Sequence, residues 1–332
     1  TRDGKLEHRP GWDVTLSAPK SVSIMAEVAG DRRLIAAHSA AVKTALVHVE
    51  QHMSATRVRD GGAVNREATG NLVIASFQHG TSRAQDPQLH THNVVLNATK
   101  GEDGTWRSLE PRAIYQLQKQ IGAIYRQELA LKVRELGYEI ETGKGSMFEI
   151  KGVSGDVLAA FSTRSAEIEA ALGTRGTTRD EASAAEKQVA ALDTRQAKVA
   201  ADPAALVADW RETATAAGFG AEARLAMVKE AEAVAISPDH RANMELQGDS
   251  AACRAVAHAA DKLGERQSVF SVAALHEEAG RVGLGKVSYA QISDAIAAAA
   301  KQGQLIDRTH IDRRGAEFAG FTTRFNVETE TK

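Results

Sequence analysis

The sequence predicts an α+β fold: a two-layer domain with a central antiparallel sheet and helices over one face, then a small, mostly helical unit of winged-helix-like pattern. Three observations lead there. Residues 12–17 alternate, with Trp12, Val14 and Leu16 on one side and Asp13, Thr15 and Ser17 on the other, as in a strand with one packed and one open face. Two longer β-like runs, 71–79 and 88–98, flank the polar connection Gly80–Pro87, and consecutive strands joined in this way pair antiparallel. Elsewhere long stretches repeat apolar residues at helical spacing, as helices covering a sheet do.

Along the chain, residues 1–11 form a charged lead-in closed by Pro10 and Gly11, and the strand at 12–16 follows. The opening Thr and its polar surroundings suggest a start inside a longer protein. After Ser17–Ser21 the pattern turns helical, and Asp31 is placed to cap a long helix running to about His52. On that helix His38, His48 and His52 read as surface or packing residues without a role. Residues 55–70 read as strand, Asp-Gly-Gly turn and strand, and lead into the run at 71–79. A turn at Gly101–Gly104 and a short strand at Thr105–Leu109 precede a helix over 111–136, which Gly137 stops. A further hairpin around Gly143–Gly145 and helices near 155–172, 180–200 and 203–217 complete the first unit.

The expected division is therefore a first domain at 1–220, a linker at 221–249 that is rich in Ala and charge and broken by Pro238, and a second unit at 250–332. In that unit, helices near 251–263, 271–281 and 288–302 precede two β-like stretches, Gln304–Arg308 and Glu317–Phe325. Its third helix, Tyr289–Lys301, is mostly Ala and Ile. A connector is favoured there over a DNA reader, because phosphate contact needs Lys or Arg on the presented face.

Composition narrows the function without choosing it. The net charge is −2; residues 1–150 carry 19 Lys/Arg against 17 Asp/Glu and the remainder 22 against 26, so any nucleic-acid contact must come from a local patch. One cysteine, Cys253, excludes an internal disulfide framework. No apolar run reaches membrane-spanning length, and no G-x-x-x-x-G-K-[ST] motif is present to hold ATP.

The chemistry lies in the histidines. His90 and His92 point to one face of their strand, and His79 ends the neighbouring strand with Phe77, Ala75 and Val73 on its own side. Antiparallel pairing brings three imidazoles to the mouth of one loop. Such a set suits a divalent transition metal and leaves coordination positions open for substrate. A His-x-His pair alone is a weak signal, and the third histidine on the adjacent strand strengthens it. The site fits a hydrolytic zinc enzyme as well as a phosphate-polarising one.

The runs His8–Ser23 (HRPGWDVTLSAPKSVS) and His79-Gly80-Thr81-Ser82-Arg83 with Pro87-Gln88-Leu89-His90-Thr91-His92 resemble the conjugative relaxases of the TrwC/TraI kind, which are HUH endonucleases. The likeness covers about residues 5–220 and includes the spacing of eleven residues from His79 to His90. Thr91 departs from a strict His-hydrophobe-His pattern. The resemblance implies a relaxase (HUH/Rep-like) fold and metal-dependent, site- and strand-specific nicking of single-stranded DNA at a plasmid origin of transfer, by transesterification through a tyrosine. It assigns His79, His90 and His92 to a divalent metal, Mg²⁺ or Mn²⁺ ahead of Zn²⁺. Asp13 becomes the residue that orients a ligand histidine or takes the nucleophile's proton. Lys20 and Arg83, inside the matched runs, become candidate DNA-phosphate contacts, with Arg9 a weaker one.

The family's nucleophilic tyrosines lie ahead of the Pro-Gly-aromatic-Asp strand, where this chain has none: its four are Tyr115, Tyr125, Tyr138 and Tyr289, each expected to pack. The expectation is a chain truncated at its N-terminus, without nucleophile and without covalent cleavage. The last 80 or so residues resemble the region leading into a RecD-like helicase. Implied partners are origin DNA, the coupling protein and type IV secretion machinery, and accessory relaxosome proteins, in a bacterial cytoplasm. Two rivals stand beside this reading: a three-histidine hydrolase with Asp13 as base, and a non-catalytic single-stranded-DNA-binding module.

Overall fold

The computed structural model describes residues 9–194, 202–311 and 317–330; the lead-in at 1–8, the end of the helix expected at 180–200 and the turn at 312–316 lie outside them. Strand β1 (Gly11–Ser17) is followed by helices α1 (Lys20–Glu27) and α2 (Arg32–Met53), and the hairpin β2 (Ala55–Asp60) and β3 (Ala63–Ala68) comes next. The site-bearing strands are β4 (Ile74–Thr81) and β5 (Pro87–Leu96). After short β6 (Thr99–Lys100) and β7 (Trp106–Arg107) come α3 (Arg112–Gln116), α4 (Gln118–Glu135), and the hairpin β8 (Ile140–Thr142) and β9 (Phe148–Ile150). Helices α5 (Gly155–Ala160), α6 (Thr163–Gly173), α7 (Ala184–Asp193), α8 (Pro203–Ala216), α9 (Ala221–Ile236) and α10 (Pro238–Gly264) follow. The chain continues with β10 (Phe270–Ser271), α11 (Val272–Val282), α12 (Tyr289–Lys301), β11 (Leu305–Ile311), β12 (Glu317–Thr323) and α13 (Arg324–Glu330).

The first sheet has the order β1-β5-β4 and is antiparallel throughout. Its middle strand shows the period of two most clearly. Leu89, Thr91, Asn93 and Val95 are buried, and the residues between them are half-buried. The hidden face packs on α1, α2 and α4, whose Val22, Ile24, Leu34, Val42, Val49, Ile121 and Leu129 form one core with Leu16 and Val95. Full burial of each such side chain contributes roughly 1.5–3 kcal/mol. Asp31 caps α2 as expected, accepting the Arg33 backbone N–H, and also accepts a hydrogen bond from the Tyr138 hydroxyl at 2.6 Å.

Three expectations are corrected. The helix expected over 111–136 is broken: Leu117 leaves helical angles (φ −105°, ψ 16°), and α4 begins anew at Gln118. The helix expected at 155–172 is likewise two, parted at Phe161 and Ser162. The stretch expected as a linker, 221–249, is helical, with α9 and the first part of α10 meeting at Ser237. Ala231 is buried in the first core with Met227 and Val228 against it. At Gly137 (φ +89°) a β-carbon would stand 2.0 Å from the Ala231 carbonyl oxygen. Only glycine lets the two backbones approach that closely.

A second core gathers Ala252, Val256, Phe270, Leu275, Val287, Ile292, Leu305 and Phe321. Here α10, α11 and α12 pack with the sheet β10-β12-β11. Contacts join it to the first: Glu128 accepts the Tyr289 backbone N–H, Gln127 donates to the Val287 carbonyl, and Arg134 to that of Gly285. No described helix is long and apolar enough to cross a membrane.

Candidate metal centre

The register places the site. His79 lies opposite His90, Phe77 opposite His92, and Thr15 opposite His92 from the other side. Since β5 turns alternate residues to alternate faces, His90 and His92 come up on the open face beside His79. The three ring centroids are 5.3 Å (His79–His90), 5.6 Å (His79–His92) and 5.1 Å (His90–His92) apart. Asp13 and Thr15 stand on the same face of β1, so the structure brings together all four residues expected at the centre.

The hydrogen bonds fix which nitrogen is free. His92 Nδ1–H donates to Asp13 Oδ2 at 2.6 Å, and Thr15 Oγ1 lies 3.0 Å from the same nitrogen. The Thr15 hydroxyl donates to Asp13 Oδ2 at 3.2 Å. His90 Nδ1–H donates to the Gln88 carbonyl at 2.8 Å. In both rings the proton on Nδ1 leaves the Nε2 lone pair for a ligand, the arrangement that outer partners impose on metal-binding histidines. Burial is the largest influence on His90 and pushes its imidazolium form down, which favours the neutral ring a metal needs.

The donor set fits a metal in chemistry and spacing. With Nε2 about 2.1 Å from an ion, ring centres stand roughly 3 Å from it, and tetrahedral angles put them about 5 Å apart. As the side chains stand, no group of three or more His, Cys, Asp or Glu among the described residues is arranged to hold a metal ion. The strand register fixes the β-carbons of the three histidines side by side, and rotation about their side-chain bonds can bring the Nε2 atoms together.

The candidate phosphate contacts are placed differently. Lys20, half-buried, donates to the Pro87 carbonyl at 3.0 Å, and burial, its largest influence, lowers its pKa against the opposing pull of Asp86 and Glu149. Arg83 is exposed in the loop between β4 and β5. Arg9 donates to the Tyr115 hydroxyl at 3.0 Å.

The tyrosines correct one expectation. Tyr125 is buried, with its hydroxyl 2.7 Å from His38 Nδ1, and Tyr138 is buried on Asp31. Tyr115, expected to pack, is 54% exposed and lines a cleft of about 590 Å³ with Trp12, Asp13 and Thr15. Thr15 carried no expected role; its place two residues from Asp13 on the polar face was the available signal.

A family model described as TrwC relaxase matches residues 1–217. The multifunctional conjugation protein TraI of Escherichia coli strain K12 is 44% identical over 228 residues, which cover 66% of this chain and 12% of that protein. A second Escherichia coli TraI is 40% identical over 287 residues, covering 81% and 15%. The chain thus spans less than a sixth of the curated relatives it matches. Among solved structures, the conjugative relaxase TrwC in complex with oriT DNA, in a metal-bound structure, aligns with TM-score 0.63 and 41% identity over 66% of this chain and 75% of that one. Its metal-free counterpart gives the same score and identity.

Proposed function

Because the chain belongs to the TrwC relaxase family, we propose that it is the DNA-engaging, metal-holding part of a conjugative relaxase, acting on single-stranded DNA at an origin of transfer. The observation that carries this reading is the convergence of His79, His90 and His92 on the open face of the sheet, with Asp13 behind His92. His79, His90 and His92 would hold a divalent ion, Mg²⁺ or Mn²⁺, which when bound supplies positive charge to a scissile phosphate.

The chain's own residues prepare that site. Asp13 and the Gln88 carbonyl hold the protons of His92 and His90 on Nδ1, and Thr15 steadies the Asp13 carboxylate. Arg83, exposed in the loop between the triad-bearing strands, and Lys20, which donates to the Pro87 carbonyl, are the candidate cations for a backbone phosphate. Of the tyrosines, Tyr125 and Tyr138 are buried, and Tyr115 is exposed in the cleft beside Asp13. The proposal for this chain's residues is metal-dependent DNA binding, with none of these tyrosines assigned as nucleophile. The partners that fit it are origin DNA, the coupling protein and secretion machinery, with accessory relaxosome proteins, in the cytoplasm. The unit at 250–332 fits a winged-helix-like connector toward a helicase.

The test is incubation of the chain with a panel of labelled origin-of-transfer oligonucleotides, with and without Mn²⁺. Tight, sequence-selective binding without a covalent protein–DNA band is expected. A covalent band that disappears in Tyr115→Phe would make Tyr115 the nucleophile and overturn that part. Metal uptake without DNA affinity would point instead to a three-histidine hydrolase.

A further inference from the structure

The departure at Thr91 has a partner. The residue between the two ligand histidines points to the hidden side of the sheet, where an apolar side chain would pack without further demand. A buried hydroxyl there must be hydrogen-bonded or it costs stability. Thr91 is 5% exposed, and its Oγ1 lies 2.8 Å from Nε2 of His38, which is fully buried on α2. The other nitrogen, His38 Nδ1, lies 2.7 Å from the Tyr125 hydroxyl on α4. A chain of three side chains thus runs from α4 through α2 to β5 and ends between His90 and His92.

Burial lowers the His38 pKa to about 4, so the ring is neutral and carries one proton. It then donates at one nitrogen and accepts at the other, which fits an alcohol on one side and a phenol on the other. The next hidden residue, Asn93, is tied as fully. Its amide donates to the Val14 carbonyl at 2.8 Å and its oxygen accepts the Ser76 hydroxyl at 2.7 Å. Two successive hidden positions of β5 are therefore directional polar links where nondirectional packing would have sufficed for burial. Directional links fix the pleat and register of a strand, which here set where His90 and His92 emerge.

We propose that His38 is a positioning residue of the metal centre, acting through Thr91 to hold β5 so that His90 and His92 stand beside His79. This rests on the metal reading of the triad. The test uses the whole chain and compares Thr91→Val, which keeps the volume and loses the hydroxyl, with Thr91→Ser, which keeps the hydroxyl and loses a methyl. His38→Leu and a melting curve for each variant accompany them. Two quantities are measured: Mn²⁺ affinity by calorimetry, and, without metal, the nuclear Overhauser effects among the three imidazoles.

Expected are a fall of about 10- to 100-fold in Mn²⁺ affinity for Thr91→Val and His38→Leu, weakened inter-ring Overhauser effects in both, and near-wild-type values for Thr91→Ser. If Thr91→Val binds as wild type and Thr91→Ser is the weaker, the Thr91–His38 pair is packing and the inference is overturned. If the wild-type chain takes up no Mn²⁺, the metal reading falls and the metal-free measurement decides. Inter-ring Overhauser effects that vanish in Thr91→Val support the positioning role, and effects of wild-type strength there overturn it.

Discussion

Two groups of histidines divide this molecule. His79, His90 and His92 sit on the open face of the sheet, their rings mutually close and the Nδ1 atoms of His90 and His92 hydrogen-bonded to Gln88 and Asp13. His38, His48 and His276 lie in the helical layers, and burial lowers the pKa of each to about 4. Within the buried group His38 has both nitrogens engaged. His48 uses Nδ1 on the Tyr289 hydroxyl, while its Nε2 and the Nδ1 of His276 have no hydrogen-bond partner among the described residues. The same side chain is thus a ligand candidate in one place and a neutral strut in the other. Which face of an element it occupies, and what its second nitrogen touches, decide between them.

Removing ligands should separate the groups most sharply. His90→Ala with His92→Ala is expected to lower Mn²⁺ affinity beyond about 100-fold, since ligands contribute more than the outer partners whose loss alone costs 10–100-fold. Its melting temperature should change little, because the side chains removed lie on the open face; a collapse of the fold would erase the distinction.

Acid acts on the other group. An unfolded histidine titrates near 6.5 and these three near 4, so between those values the unfolded chain binds more protons. Their stabilising contribution is complete above about pH 6.5 and is lost as pH falls toward 4, by up to about 3 kcal/mol for each. Urea midpoints measured from pH 7 to pH 4 should fall steeply. His38→Gln should flatten that slope by about one proton; an unchanged slope would remove His38 from the account.

Asp13→Asn is expected to reduce Mn²⁺ affinity by about 10–100-fold without unfolding the chain. An amide at this position can donate to His92 Nδ1, which shifts the proton to Nε2 and closes the ligand site. Nitrogen chemical shifts of His92 would show the tautomer directly, and retention of the Nδ1–H form would count against this role. The smallest effect belongs to Arg83→Ala: a few-fold loss of DNA affinity, uniform across sequences, with the salt dependence reduced by about one ion.

The strands were the most legible part of the sequence because a period of two survives in seven or ten residues. Alternation alone set His90 with His92 and put Asp13 on the polar face of its strand; the register of the three strands brings those faces and His79 together. Helix breaks were harder. The apolar spacing of 111–136 continues through Leu117, so nothing in the pattern marks the break there. In α9 the apolar residues are spread round the helix and only Arg224 and Ala231 are buried, which imitates a solvated connector. The partner of Thr91 was invisible for another reason: His38 is 53 residues away, and only tertiary packing joins them.

The close approach at Gly137 matters to anyone who trims or fuses this chain. The family match ends at residue 217, which invites a cut there. Such a cut discards Met227, Val228 and Ala231, and with them the surface that shields the Gly137 backbone. A piece ending after Ile236 keeps α9 in place, and solubility and resistance to proteolysis should improve between the two end points.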